Sequence, residues 1–183
     1  MYSKKTVFII LIPAVMLFLA SAAFLPAVSA AATPHDPISI VGNSDFTSAN
    51  GVVSGAGSSS DPYIIEGWSI INDTISCISI NNTDAYFIIR YCELNCSATS
   101  GCAISLNNVT NGMIEGNAIS NNTITGAGYG IYLNSSSSNT ISNNTITGAG
   151  YGIYLSSSNS SNTVANNTIT VDTYGIHIRS STN

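Results

Sequence analysis

The stretch Ser-Asn-Asn-Thr-Ile-Thr-Gly-Ala-Gly-Tyr-Gly-Ile-Tyr-Leu fills residues 120–133 and returns unchanged at residues 142–155, a period of 22. A unit that short cannot enclose a core of its own. It buries its apolar face only by stacking on the next copy. Extending the comparison outward gives five versions of one segment, starting at Ile65, Ile89, Ile114, Ile141 and Val164 and closing on Ile70, Leu94, Ile119, Ile146 and Ile169. A second segment keeps step: Ile78-Ser-Ile80, Ile104-Ser-Leu106, Ile131-Tyr-Leu133, Ile153-Tyr-Leu155 and Ile176-His-Ile178.

Apolar residues alternate with others in the second segment, the period-2 signature of a strand with one buried face. Gly, Ser and Asn separate the segments, and Asn tolerates the left-handed backbone that tight corners need. Each segment matches itself one period later better than it matches any other, which predicts parallel strands in register, with Ile on Ile and Asn on Asn at about 4.8 Å. The exact duplicate then reads as two successive rungs with the same fit. Leucine-rich repeats have overlapping periods but need an L-x-x-L-x-L-x-x-N-x-L pattern, whereas this chain offers isolated I-x-L pairs.

The N-terminus carries Lys4 and Lys5, an apolar run from Val7 to Ala23, and then Val28-Ser29-Ala30. That order fits a signal peptide over residues 1–30, and a retained membrane anchor is the alternative. Either reading puts the remainder outside the cytoplasm. Past residue 30, Arg90 and Arg179 face nine acidic residues, a formal charge of −7. Nucleic-acid binding needs clustered cations, so no nucleic-acid partner is expected.

The repeat N-N-T-I…Y-G-I-Y-L-x-S-S-S-x-N-T-I resembles the coil of right-handed parallel β-helix proteins of the NosD-type and carbohydrate-binding/sugar-hydrolase repeat class, especially secreted archaeal members. The lead-in Gly55-Ala-Gly57-Ser-Ser-Ser-Asp61-Pro62-Tyr63 through Trp68 is similar to the entry into the first coil of such proteins. The expected fold is all-β, a right-handed parallel β-helix of about five coils. Residues 31–64 form its N-terminal cap and lead-in, and residues 65–183 form coils that stop in mid-repeat at Ser180-Ser-Thr-Asn183. Such an end suggests a fragment, a truncated gene, or an open coil that a partner or a second copy covers.

Aromatic columns are the main binding candidates. Alternation points Tyr132, Tyr154 and His177 outward on consecutive rungs, and Tyr129, Tyr151 and Tyr174 form a second ladder beside glycines. Stacked rings on a neutral, hydroxyl-rich face suit a sugar chain, and the same ladders also suit plain cross-strand packing.

Cys77, Cys92, Cys96 and Cys102 are even in number in an exported chain, which favours disulfides. The expected pairs are Cys77 with Cys102 across neighbouring rungs and Cys92 with Cys96 locally, with an unpaired buried stack as the alternative. Glu66, Arg90 and Glu115 share one repeat position and read as an ionic ladder rather than an acid/base pair, so no catalytic residue is assigned. Nine N-x-S/T triplets begin at Asn72, Asn81, Asn95, Asn108, Asn121, Asn134, Asn143, Asn159 and Asn166. They are potential glycan sites, although a chain this rich in Asn, Ser and Thr produces such triplets by chance.

The resemblance implies a copper-maturation role or a polysaccharide hydrolase or lyase. His35, His177, Met113 and the cysteines form no clustered metal-ligand spacing, and no cofactor is expected. The reading that results is a secreted or cell-surface module with a structural, adhesive or polysaccharide-binding role.

Overall fold

The computed structural model describes residues 31–98, 101–120, 128–157 and 161–180. The leader expected over residues 1–30 lies outside them. Three parallel sheets of six, six and five strands run the length of the molecule. Each turn visits them in a fixed order: Tyr63–Glu66 lies in the third sheet, Trp68–Asn72 in the first and Ile78–Thr83 in the second, and Phe87–Arg90 then returns to the third. The protein is a parallel β-solenoid. Its helical content among the described residues is two short 3-10 turns, Asn43–Asp45 and Ser48–Asn50.

The register follows the repeat. Ile65, Ile89, Ile114, Ile141 and Val164 are successive partners in the third sheet. Ile78, Ile104, Ile131, Ile153 and Ile176 are successive partners in the second. From Ile65 to Ile153 the isoleucines of both columns are completely buried. Each such side chain contributes roughly 1.5–3 kcal/mol from removal of apolar surface from water. The column opens at the last described strand, Tyr174–Arg179, where Ile176 is 49 % and Ile178 52 % exposed.

The verbatim duplicate does not stack verbatim. Tyr129–Leu133 lies against Tyr151–Leu155, as the 22-residue period requires. In the first sheet, however, Ala118 and Ile119 pair with Thr145 and Ile146, an offset of 27. The Asn121-Asn122-Thr123-Ile124-Thr125 copy lies outside the described residues. Thr145 and Ile146 thus stand on Ala118 and Ile119, and the reading of the whole duplicate as two equivalent rungs is corrected.

The N-terminal segment does more than cover the first coil. Thr33–Pro34 and Ile38–Val41 are the first strands of the first and second sheets, with Ile38 on Ile78 and Ile40 on Ile80. Residues 42–62 then fold across the end of the core. Phe46 stacks on Tyr63 at 4.6 Å and tilts against Phe87 at 5.5 Å, and Trp68 Nε1 donates to Gly51 O at 2.8 Å.

Columns of left-handed residues turn the corners. Gly67, Tyr91, Gly116, Asn143 and Asn166 have φ of 71°, 53°, 61°, 56° and 55° where the chain leaves the third sheet. Gly42, Asn82, Asn108, Ser135, Ser157 and Ser180 play the same part where it leaves the second. Gly and Asn meet this requirement at low steric cost, and Tyr91 and the serines meet it at a higher one.

Immediately after the first column runs a ladder of inward-facing asparagines. Asn117 N donates to Asn144 Oδ1 at 3.1 Å, and Asn144 N donates to Asn167 Oδ1 at 3.0 Å. The Nδ2 atoms of Asn117, Asn144 and Asn167 donate to the carbonyls of Ile89, Ile114 and Ile141 at 2.9–3.0 Å. Buried corner amides are thus satisfied without water, as the low dielectric demands.

Candidate functional site

The outer face of the second sheet carries six aromatic rings. Tyr132, Tyr154 and His177 are register partners, as are Tyr129, Tyr151 and Tyr174. Strict alternation would place Tyr129 on the same side as Ile131, inside the core. Instead Gly130, Gly152 and Gly175 take an additional inward position and have no partner in the register. A Cβ on Gly130 would lie 2.5 Å from Ile146 Cγ2 and 2.7 Å from Gly152 O, so a larger residue does not fit there. The glycine steps the preceding tyrosine outward, in the manner of a bulge repeated rung after rung.

The two ladders thereby merge into one patch. Tyr129 stacks on Tyr132 at 5.0 Å and tilts against Tyr154 at 4.7 Å. Tyr151 meets Tyr174 at 5.6 Å, and His177 packs edge-on to Tyr154 at 4.8 Å. Tyr154 sits at the centre and is 8 % exposed, whereas Tyr174 at the rim is 53 % exposed. Burial, the largest influence, pushes the Tyr129 phenol above its usual range, so the hydroxyl stays neutral and remains a donor. His177 Nδ1 is buried and has no hydrogen-bond partner among the described residues. On the preceding rung the same positions hold Cys102 and Ser105, so the aromatic patch begins at Tyr129 and Tyr132.

A family model described as periplasmic copper-binding protein (NosD) matches residues 36–183. The chain belongs to the NosD family. No curated relative and no solved structure matches it. The family is described as periplasmic, which is extracytoplasmic. Among the described residues no helix is long and apolar enough to cross a membrane.

Copper, which the NosD description implies, needs converging soft or imidazole donors. Among the described residues no group of three or more His, Cys, Asp or Glu side chains comes together. His35 packs on Trp68 beside the first coil, and His177 lies in the aromatic patch of the last described rung. These residues do not fit a copper site.

All four cysteines are buried free thiols, so neither expected disulfide is formed. Cys92, Leu94 and Cys96 all face inward along one extended segment, which separates the Cys92 and Cys96 Cα atoms by about 13 Å, far beyond disulfide reach. Cys77 N donates to Cys102 O at 3.2 Å, so these two are stacked neighbours, but their sulfurs diverge. The Cys77 thiol approaches Ile70 O at 3.6 Å and contacts Cys96, whereas the Cys102 thiol contacts the hydroxyls of Ser76 and Ser105. Burial, the largest influence on Cys102, pushes its thiol up to about 12.

Glu66, Arg90 and Glu115 are register partners, and Arg90 Nε donates to Glu66 Oε2 at 2.6 Å. The hydrogen bond to Glu66 is the main reason the Arg90 guanidinium is held above its usual range, with Glu115 adding a smaller share. Opposite charges alternate up the face, the arrangement that avoids like-charge stacking. Of the glycan triplets, Asn72 is 6 % exposed and spends its side chain on Thr74 N and Ser76 O, while Asn143 and Asn166 are exposed corner residues. Asn121 and Asn159 lie outside the described residues.

Sequence reasoning missed the inward glycines and the Cys77–Cys96 contact. The first left a signal: Tyr-Gly-Ile recurs in three consecutive rungs at the same position.

Proposed function

We propose that this NosD-family protein is a non-catalytic, exported cell-surface module that holds polysaccharide along the aromatic face of its second sheet. The observation that carries the reading is the six-ring patch from Tyr129 to His177, on which neutral rings and hydroxyls are presented at the rung spacing. Sugar rings offer C–H faces to aromatic surfaces and hydroxyls to phenols, and a weakly charged patch suits a neutral chain. Tyr132 and Tyr174 are the rim residues available for contact, and Tyr154 braces them from the centre. His177 Nδ1 supplies an acceptor or donor that a sugar hydroxyl would satisfy.

Affinity electrophoresis against a panel of neutral and acidic polysaccharides, paired with a reducing-end assay, tests the proposal. The wild-type protein is expected to be retarded by at least one neutral polysaccharide without generating new reducing ends. The Tyr132→Ala/Tyr174→Ala variant should bind about tenfold more weakly, the equivalent of about 1.4 kcal/mol, while its melting temperature holds. Equal retardation of both proteins would remove the aromatic face from the reading. A rise in reducing ends would make the protein an enzyme instead.

A further inference from the structure

The Cys77 and Cys96 sulfurs meet in the interior where the chain passes from the first sheet to the second. Cys96 closes the strand Glu93–Cys96 and is the register partner of Asn72 on the turn before it. Beyond Asn72 the chain folds tightly, since Asn72 Oδ1 accepts from Thr74 N at 3.1 Å and Asn72 Nδ2 donates to Ser76 O at 3.1 Å. That fold carries Cys77 back over Cys96.

Three contacts fix the meeting point. Cys96 Sγ lies 3.3 Å from Ile75 O, two residues before Cys77, Cys77 Sγ lies 3.6 Å from Ile70 O, and each thiol is the other's neighbour. Gly101 closes the site from above, because a Cβ there would stand 2.9 Å from Cys96 Sγ. Both cysteines are completely buried, while Cys92 and Cys102 are occupied elsewhere.

We propose that Cys77 and Cys96 are the partners of a disulfide that clips two successive turns of the solenoid. The proposal is independent of polysaccharide binding. The chemistry is thiol–disulfide exchange with a disulfide donor, such as an oxidoreductase of the exported compartment or oxidised glutathione in vitro. One cysteine thiolate attacks the donor's disulfide and forms a mixed disulfide, and the other then displaces the donor's remaining thiolate. The two cysteines give up two protons and two electrons, and the donor leaves as two thiols. Both sulfurs are sealed in the folded protein, so exchange takes place before this corner closes.

The test refolds the protein in a mixture of oxidised and reduced glutathione, alkylates it in denaturant without reductant, and digests it after Arg and Glu. Cleavage at Arg90, Glu66, Glu93 and Glu115 puts Cys77 in residues 67–90, Cys92 in residues 91–93, and Cys96 with Cys102 in residues 94–115. Mass spectrometry should find residues 67–90 joined to residues 94–115, with fragmentation locating the link at Cys96 and alkyl groups on Cys92 and Cys102. Four alkylated cysteines, or a link through Cys92 or Cys102, would overturn the proposal. Reduction should lower the melting temperature of the wild-type protein by about 5–10 °C and leave that of Cys96→Ser unchanged.

Discussion

Asn144 accepts two hydrogen bonds from Asn117, one from its backbone N–H at 3.1 Å and one from its Nδ2 at 3.0 Å, on the same Oδ1 atom. Its own Nδ2 is committed to Ile114 O at 3.0 Å and to Asn167 Oδ1 at 2.9 Å. The amide therefore needs its oxygen and its nitrogen in fixed places. Asn144→Asp sets a carboxylate oxygen against a buried carbonyl and should destabilise the protein by about 3 kcal/mol. Asn144→Ala, which leaves the neighbours unpaired, should cost about 2 kcal/mol. Urea unfolding monitored by circular dichroism measures both, and a loss below 0.5 kcal/mol (about half of one ordinary hydrogen bond) would show that the ladder is dispensable.

The inward glycines carry a built-in control. At Gly152 a Cβ would stand 2.4 Å from Ile169 Cγ2 and 2.5 Å from Gly175 O, whereas at Gly175 the nearest neighbour is 3.9 Å away. Gly152→Ala should therefore lower the melting temperature by several degrees and disturb tyrosine fluorescence. Gly175→Ala should change neither. Equal effects at the two positions would mean that the glycine column is not what turns the tyrosines outward.

Cys92 stands at the position that Asn117 and Asn144 occupy in later turns, and its sulfur reaches Ile65 O only at 4.0 Å. Cys92→Asn places a true donor beside that carbonyl. The variant should be at least as stable as the wild-type protein at neutral pH, read from the same urea curves.

The same thiol makes an alkaline prediction. Burial, its largest influence, raises Cys92 from 9.0 to about 11. Between those values the unfolded chain has released the proton and the native one keeps it. The associated stability is intact below pH 9 and falls as pH climbs towards 11. Under reducing conditions the wild-type protein should lose about 2 kcal/mol more than Cys92→Asn between pH 8 and pH 10.5. Parallel curves for the two proteins would contradict this.

Glycan attachment should follow the corners. In a host that modifies N-x-S/T triplets on the folded surface, Asn143 and Asn166 are open and Asn72 is closed by burial and its own hydrogen bonds. Glycopeptide mapping should find Asn72 bare, and a glycan on Asn72 would mean that modification precedes closure of the coil.

The stacking register of the two isoleucine columns was legible in the sequence. In a parallel solenoid each segment's partner is its own counterpart one turn later, so self-similarity reports contact directly, and Ile65 through Val164 pair as the repeat alone dictates. The charge ladder from Glu66 to Glu115 was legible for the same reason. Local identity was a poorer guide than position: the two Asn-Asn-Thr-Ile copies are spelled alike, yet Ile146 stands on Ile119.

Tertiary structure alone decided which way a side chain faces at a corner or an irregularity. Tyr129 joins Tyr132 because Gly130 takes the inward place that alternation assigns to the tyrosine, and only the packing against Ile146 and Gly152 imposes that choice. Cys77 meets Cys96 rather than Cys102 because the turn after Asn72 directs its sulfur inward, while Cys102 turns towards Ser105. Repeat spacing sets which backbones lie side by side. The space left by neighbouring side chains sets which atoms touch.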